Sequence, residues 1–499
     1  RLVFSGAVGP QPGDGEGELA PFYRFELVSN NSVLAPADAN EPPLRAVVRV
    51  SGRISDDWQR FVAPELVVRT DQGEVVGSAS LELAGSQTPA VGLAIAVSKL
   101  PVGYAKSVWP WFAAPGARAS ALANVFGGVV ENSRLVLDAQ PGSLGEGKQL
   151  SPDEISGHFE VRGARFDVTG TIPPVRDAVG AIDFKGTDVD ITLASGTVFM
   201  PSGRTLAARD GTFRIANAHL HPLIGDLDIQ IEGKAAAVAE MGSYDPIDME
   251  RFIDLEPKSL SGDVTGEVEA RIPLERGSEL KDLNWRVDLA YTGLSIDKPF
   301  EGQLVTEAKG TISARPDRAL IQATAKLNDV PAEISLSEPL QGGAKRSLTA
   351  RLHFDNAARE RLLPGLSSVV SGPFVVELEA LGEGRQKVEV DLADTTLALP
   401  WLGWSKGAGV AARASFVLSS KDAVTRLADF RLDGSGFGAA GDLTVDDDGL
   451  AGAQFSRFAL NRGDDARASI ERRRGGYMIS VSGKSLDARP FIRRFGDLT

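Results

Sequence analysis

The chain contains no cysteine, so it has no disulfide framework, no thiolate nucleophile and no cysteine metal site. Histidine is almost as scarce: His158, His219, His221 and His353 are the only four in 499 residues. No Gly-x-Ser-x-Gly elbow, His-Glu-x-x-His helix or Gly-x-Gly-x-x-Gly turn after a strand occurs, so the common signatures of hydrolases, zinc proteases and dinucleotide enzymes are missing. Long apolar runs are missing too. The longest uncharged stretch, residues 83–98, is about 16 residues and holds Gln87, Thr88 and Pro89, too short and too polar to cross a bilayer. Positive charge is the minority sign, with 53 Lys+Arg against 67 Asp+Glu and a net charge of −14. The only basic clusters are Arg472-Arg473-Arg474 and Arg493-Arg494, which excludes nucleic-acid binding by counterion release over most of the surface. Six Trp and five Tyr are too few for an extended sugar-stacking surface.

What is present is β-strand code. In Val264-Thr265-Gly266-Glu267-Val268-Glu269-Ala270-Arg271-Ile272, the even positions are apolar or small and the odd ones polar, which puts an oily face opposite a charged one. The same alternation recurs in Trp285-Arg286-Val287-Asp288-Leu289, over residues 374–380, in Lys387-Val388-Glu389-Val390-Asp391-Leu392 and in Phe430-Arg431-Leu432-Asp433. A change of face at Gly163 predicts a β-bulge. Turns at Asp210-Gly211, Arg315-Pro316-Asp317, Asp446-Asp447-Asp448-Gly449 and Arg474-Gly475-Gly476 cut the chain into strands of about eight to twelve residues, a meander without the βαβ alternation of nucleotide-binding sheets. Gly262, Gly310, Gly441 and Gly483 mark equivalent points of a loosely repeating module, and glycines within strands let a very wide sheet bend. The fold class expected is mostly β: a long, highly twisted antiparallel sheet forming an extended open groove, with a few short helices.

One helical island interrupts this pattern. Val108-Trp109-Pro110-Trp111-Phe112 is a proline-punctuated aromatic knot, followed by a helix-like run to Phe126 and a stop at Gly127-Gly128. Trp109, Trp111 and Phe112 either pack this helix against a sheet edge or plug an open β-surface. Shorter helical interruptions are expected at 245–255, 355–363 and 487–495, each beginning near an Asp suited to an N-cap. The organisation implied is a β module over 1–98, a helical plug or cap over 99–128, and the extended β-groove over 129–499.

Few residues invite a chemical role. Gly142-Ser143-Leu144-Gly145-Glu146-Gly147-Lys148-Gln149 comes within one residue of a phosphate-binding loop, but Gln149 replaces the Mg²⁺-holding Ser/Thr and a strand follows in place of a helix, so it reads as a surface loop. His219 and His221 would share one strand face without a third ligand evident from spacing, and Asp446-Asp447-Asp448-Gly449 lacks the remaining oxygen ligands of a calcium loop. No catalytic residue, metal ligand or cofactor is assigned.

The segment Val108 to Pro115, Asn124 to Gly128 and Val129-Val130-Glu131-Asn132-Ser133-Arg134-Leu135 resembles the signature of large AsmA-like envelope proteins of the YhdP type. Residues 157–166 with Ile172-Pro173-Pro174, and Gly483-Lys484-Ser485-Leu486-Asp487-Ala488-Arg489-Pro490, match as well. The resemblance implies a Gram-negative protein of the periplasm, anchored in the inner membrane, whose apolar β-groove conducts phospholipid between inner and outer membranes. The anchor lies outside these residues, and the chain, opening at Arg1 without a signal segment, reads as excised from a longer protein. The groove candidates are Val264, Val268, Ile272, Trp285, Val287, Leu289, Val376, Leu378, Val388 and Val390, with Trp109, Trp111 and Phe112 on the plug. The expected partners are phospholipids and the two membranes, without nucleic acid and without enzymatic chemistry. The rivals are a non-enzymatic structural scaffold of the envelope with a closed β core, and a carbohydrate-active β-solenoid.

Overall fold

Strand follows strand through almost the whole of the computed structural model, and 27 of them join in one antiparallel sheet that does not close into a barrel. The structure describes residues 4–11, 22–35, 41–109, 115–145, 148–168, 170–245, 247–249, 255–274, 284–300, 302–341, 345–399, 403–421, 424–446, 449–474, 476–487 and 489. Two compact units are distinguished, Arg1–Lys258 with Asp263–Leu289, and Ser259–Gly262 with Ala290–Thr499. The helical segment read at 99–128 therefore lies inside the first unit, and 129–499 runs through both.

In the first unit strands pair antiparallel in sequence order, from Ser5–Gln11 and Phe22–Leu34 to Ile224–Lys234 and Leu260–Pro273, except that Gln87–Pro101 pairs with Val129–Ala139 and the short strand Val125–Phe126 between them pairs with Ile155–Phe166. Left-handed residues mark breaks in register: Asn132 (φ 46°), Gly163 (φ 69°), Asp177 (φ 52°) and Asp210 (φ 47°). Gly163 lies where the sequence changes face. Asn and Asp tolerate this backbone better than other side-chain-bearing residues, and each bulge bends its strand.

Among the described residues three α-helices belong to this unit: α1 (Val102–Val108), α2 (Pro115–Asn124) and α3 (Ala235–Gly242). Val102 of α1 is buried with Val75, Val97, Leu100, Val130 and Val161 of the sheet, and Ala121 of α2 packs against the same cluster. Lys106 of α1 is buried, yet its Nζ is 3.1 Å from Glu41 Oε1, donates to the Leu122 carbonyl at 3.4 Å and lies 4.4 Å from the Phe126 ring centre. A buried ammonium is tolerated because these groups replace its water. After α2, Gly127 and Gly128 adopt φ of 63° and 69°, and a Cβ on Gly128 would sit 2.5 Å from the Arg162 carbonyl oxygen.

Helix α3, which the sequence reading did not anticipate, packs its Ala237 with Val198, Met200 and Leu206. Of the span expected to be helical at 245–255, residues 246 and 250–254 lie outside the described residues, the amides of Ile247 and Asp248 donate to the Tyr244 carbonyl, and Met249 is in a 3-10 turn. The expected helix at 487–495 falls almost wholly outside the described residues.

In the second unit the meander continues from Val305–Ala314 to Gly476–Ser485, again with sequential antiparallel pairing. Helix α4 (Asn356–Leu362) starts where the sequence places an N-cap: Asp355 accepts a hydrogen bond from the Ala358 backbone at 2.7 Å. Two long connections on the same side of the strands supply Val370–Ser371, Thr396–Leu399 and Trp404–Lys406, which pair as a separate three-stranded sheet. Lys406 pins it. Its buried Nζ donates to the carbonyls of Ala393 (3.1 Å), Thr395 (2.6 Å) and Leu392, and desolvation lowers its pKa while Asp394 and Asp391 oppose the shift.

Three of the glycines marked in the sequence are sterically equivalent. A Cβ on Gly310, Gly441 or Gly483 would lie 2.0, 2.0 or 2.2 Å from a carbonyl oxygen of the adjacent strand, at Gln322, Gln454 and Asp465. All three lie beside register shifts, and those next to Gly310 and Gly441 contain the left-handed residues Glu307 (φ 52°) and Asp429 (φ 53°). Only a residue without a side chain lets the neighbouring backbone approach so closely.

Candidate functional site: the apolar sheet face

On strand Leu260–Pro273, Val264 is buried, Gly266, Val268, Ala270 and Ile272 are half-buried, and Thr265, Glu267, Glu269 and Arg271 are exposed. The neighbouring strand Ile224–Lys234 repeats this alternation, with Leu227, Ile229 and Ile231 half-buried. Register joins the two into rungs: Leu227 opposite Ala270, Ile229 opposite Val268, Ile231 opposite Gly266. Leu289 reaches the same face, because its Cδ2 occupies a point 2.4 Å from where a Cβ on Gly266 would be, with Ile231 Cγ1 3.3 Å away. Trp285 and Val287 are half-buried on the strand Asn284–Ile296.

Inward-facing residues of a closed sandwich interlock with a second sheet and lose nearly all contact with solvent. Here the apolar side chains in mid-strand keep part of theirs. The fully buried clusters of the first unit gather around α1, around α3, where Ile231 at the end of the face packs in, and around Leu93, Leu135, Leu137, Ile155 and Phe184. Trp109, the C-cap residue of α1, reaches onto this last region and stacks on Phe159 (5.0 Å between centroids) and Phe184 (6.3 Å). Trp111 and Phe112, the other plug candidates, lie outside the described residues.

The second unit carries its own apolar face. Leu352 pairs with Val376 and Ala350 with Leu378, then Val376 with Val390 and Leu378 with Val388, then Val388 with Phe416 and Val390 with Ala414. Val388 is buried, whereas Val376, Leu378 and Val390 are half-buried. An aromatic row extends the face: Phe416 stacks on Phe430 at 6.2 Å, Phe430 meets Phe455 edge-on at 6.3 Å, and Phe455 lies 5.8 Å from Phe458. The candidates thus fall into two sets, Val264, Val268, Ile272, Trp285, Val287 and Leu289 in the first unit and Val376, Leu378, Val388 and Val390 in the second. Ile229, Ile231, Phe416 and Phe455 also belong to these faces and were not among them. The alternation of Ile224-Gly225-Asp226-Leu227-Asp228-Ile229-Gln230-Ile231 is the signal that finds the first pair.

The opposite face of the second unit is charged and holds a cavity of about 820 Å³ lined by Lys309, Glu333, Arg351, Glu377, Lys387 and Glu389 among others. Its carboxylates are paired with cations, Glu377 with Arg351 at 3.7 Å and Glu389 with Lys387 at 2.9 Å. The hydrogen bond from Lys387 holds Glu389 below the usual carboxylate pKa. These are ion pairs between solvated strand partners.

The phosphate-loop look-alike is a loop closed on itself. Lys148 Nζ donates to the Gly142 carbonyl, and Glu154 accepts from Ser143 Oγ and from the backbone amides of Ser151 (2.9 Å) and Gln140 (3.3 Å), which takes its pKa down to about 2. Strand Ile155–Phe166 follows, without a helix N-terminus. His219 and His221 lie in the turn 216–223 and not on a strand, and among the described residues no group of three or more His, Cys, Asp or Glu is placed to hold a metal ion. Asp446 and Gly449 pair across a hairpin turn, with Asp447 and Asp448 outside the described residues. No described helix is long and apolar enough to cross a membrane.

The chain matches no protein-family model, no curated protein and no solved structure.

Proposed function

We propose that this chain is a segment of an AsmA-like envelope protein that holds phospholipid acyl chains against its apolar sheet faces and passes lipid between the inner and outer membranes from a periplasmic position. The observation that carries the reading is the half-buried state of Val268, Ile272 and Ile229, apolar side chains in mid-strand that a closed core would have buried, whereas Ile231 packs against the cluster at α3 and Val376, Leu378 and Val390 against the clusters at α4 and the three-stranded sheet. An uncovered apolar face of this extent is unfavourable in water, and it needs an occupant. Acyl chains fit it chemically. Each methylene removed from water gains roughly 0.8 kcal/mol, and a face of similar Val, Leu, Ile and Phe rungs offers no single deep well in which a chain would lodge. Transfer of this kind requires no covalent step, so it needs neither a nucleophile nor a metal.

A structural scaffold with a closed core is the competing reading, and the clusters beneath α1 and α3 and those at α4 and the three-stranded sheet favour it locally. The two are separated by an aspartate in mid-face. Val268→Asp or Leu289→Asp lowers lipid occupancy while the fold survives if the face is filled by lipid. The same changes unfold a closed core, because an unpaired charge there costs several kcal/mol.

A further inference from the structure

We propose that the strand Gly476–Ser485 is a dimerisation edge, at which a second copy of this chain adds its own Gly476–Ser485 in antiparallel register. The apolar face of the second unit runs to this strand and stops there. One row of directly opposed residues passes from Leu443 through Ala453 and Ile470 to Ile479, and the next from Phe455 through Ala468 to Val481. Ala453 and Ala468 are buried and Ile470 half-buried, whereas every residue of Gly476–Ser485 is exposed, Tyr477 at 49%, Met478 at 48%, Ile479 at 43% and Val481 at 38%. The strand pairs with Asp465–Arg473, and among the described residues no strand lies on its other edge.

A bare strand edge presents a row of amides and carbonyls that another extended backbone satisfies in full. Native sheets blunt such edges with charge, proline or a bulge. Ser5–Gln11, which pairs only with Phe22–Leu34 among the described strands, is blunted in this way by Pro10, which has no amide to offer. From Gly476 to Gly483 there is neither a charge nor a proline.

The strand is complementary to itself. A two-fold axis at Ser480 sets Gly476 through Lys484 against the same residues of the second copy, and large side chains then meet small ones: Tyr477 opposite Gly483, Ile479 opposite Val481 and Met478 opposite Ser482. Cross-strand pairs of this kind are the unit of sheet stabilisation, and an aromatic ring across from a glycine covers its bare backbone. Ile479 and Val481 carry the two apolar rows from one copy into the other on the same face. Charge leaves the approach open. Lys484, 3.8 Å from Asp465, stands opposite Gly476, and Arg473 is held by Glu471 at 2.7 Å. Arg474 in the adjoining turn is exposed, where salt screens it. Two-fold pairing uses up the edge, so assembly stops at two copies. One ladder is a small interface, and the dimer should dissociate on dilution. The pairing stands whether or not the apolar face holds lipid.

The chain has no cysteine, so introduced cysteines report the register directly. Directly opposed residues of an antiparallel pair have Cα atoms about 4.5–5.5 Å apart, within disulfide reach. On mild oxidation Ser480→Cys should form a covalent dimer, and Met478→Cys mixed with Ser482→Cys should link in higher yield than either alone. Thr324→Cys, at an exposed position of the strand Arg318–Leu327, should stay monomeric. Sedimentation velocity of the parent, free of lipid and detergent, should show a monomer–dimer equilibrium that Ile479→Lys weakens about tenfold or more, as a charge on an edge strand does. Ile479 is exposed, so this variant should keep the parent's cooperative melt. Equal cross-linking at Ser480 and Thr324, a parent that sediments as a monomer at every concentration, or assembly beyond two copies overturns the proposal.

Discussion

Val268 stands directly opposite Ile229 in antiparallel register, both half-buried on one face, while Glu267 and Gln230 pair on the other. That rung, repeated along neighbouring strands, is the smallest unit of the account. It is two apolar side chains held side by side by the paired backbones, each keeping part of its surface exposed.

The glycines that admit close strand approach should be intolerant of a methyl group. Gly310→Ala and Gly441→Ala each place a Cβ 2.0 Å from a backbone oxygen, so strands must separate locally. A cost of about 1–3 kcal/mol is expected from such overpacking. Gly145→Ala, whose Cβ would meet nothing closer than a Lys148 side-chain carbon at 3.8 Å, should be near neutral. Chemical denaturation of the three variants checks this; equal stability would contradict the steric reading.

These positions also show what the sequence made legible. Alternation on Leu260–Pro273 identified a two-faced strand because one face is charged along its length, and Asp355 announced α4 because an N-cap is a local device. Helix α3 was missed for the converse reason. Ala235-Ala236-Ala237-Val238-Ala239 has no polar face to give a helical period, and its cap residue Lys234 makes no side-chain cap. The aromatic row Phe416, Phe430 and Phe455 and the three-stranded sheet depend on pairing between distant segments, which no local pattern encodes.

Acid should loosen the loop that ends at Glu154. Its folded pKa, about 2 against an ordinary 4.5, is depressed first by the Ser143 hydroxyl and then by the Ser151 amide. A depressed carboxylate contributes stability that is complete above about pH 4.5 and is lost as pH falls through 2. Glu154→Gln should therefore flatten the decline of the melting temperature of the first unit across that window. An unchanged pH profile would remove Glu154 from the account.

The buried pair beneath α1 should be sensitive to loss of one partner. Lys106→Ala removes the contact with Glu41, the bond to the Leu122 carbonyl and the stack on Phe126 together. A loss of about 3 kcal/mol is expected for breaking a buried pair, reduced by the partial exposure of Glu41. Lys106→Met keeps the apolar stem and should cost less. Urea melts of both variants decide it, and equal losses would show that the charge, and not the packing, anchors the helix.

The most direct measurement is native mass spectrometry, with solvent extraction, of the chain purified without detergent from a Gram-negative host. The account predicts several phospholipids per chain, and a clear fall in their number in Val268→Asp and Leu289→Asp variants that still melt cooperatively. A lipid-free parent mass with a cooperative unfolding transition, or a lipid load indifferent to both aspartates, would contradict it.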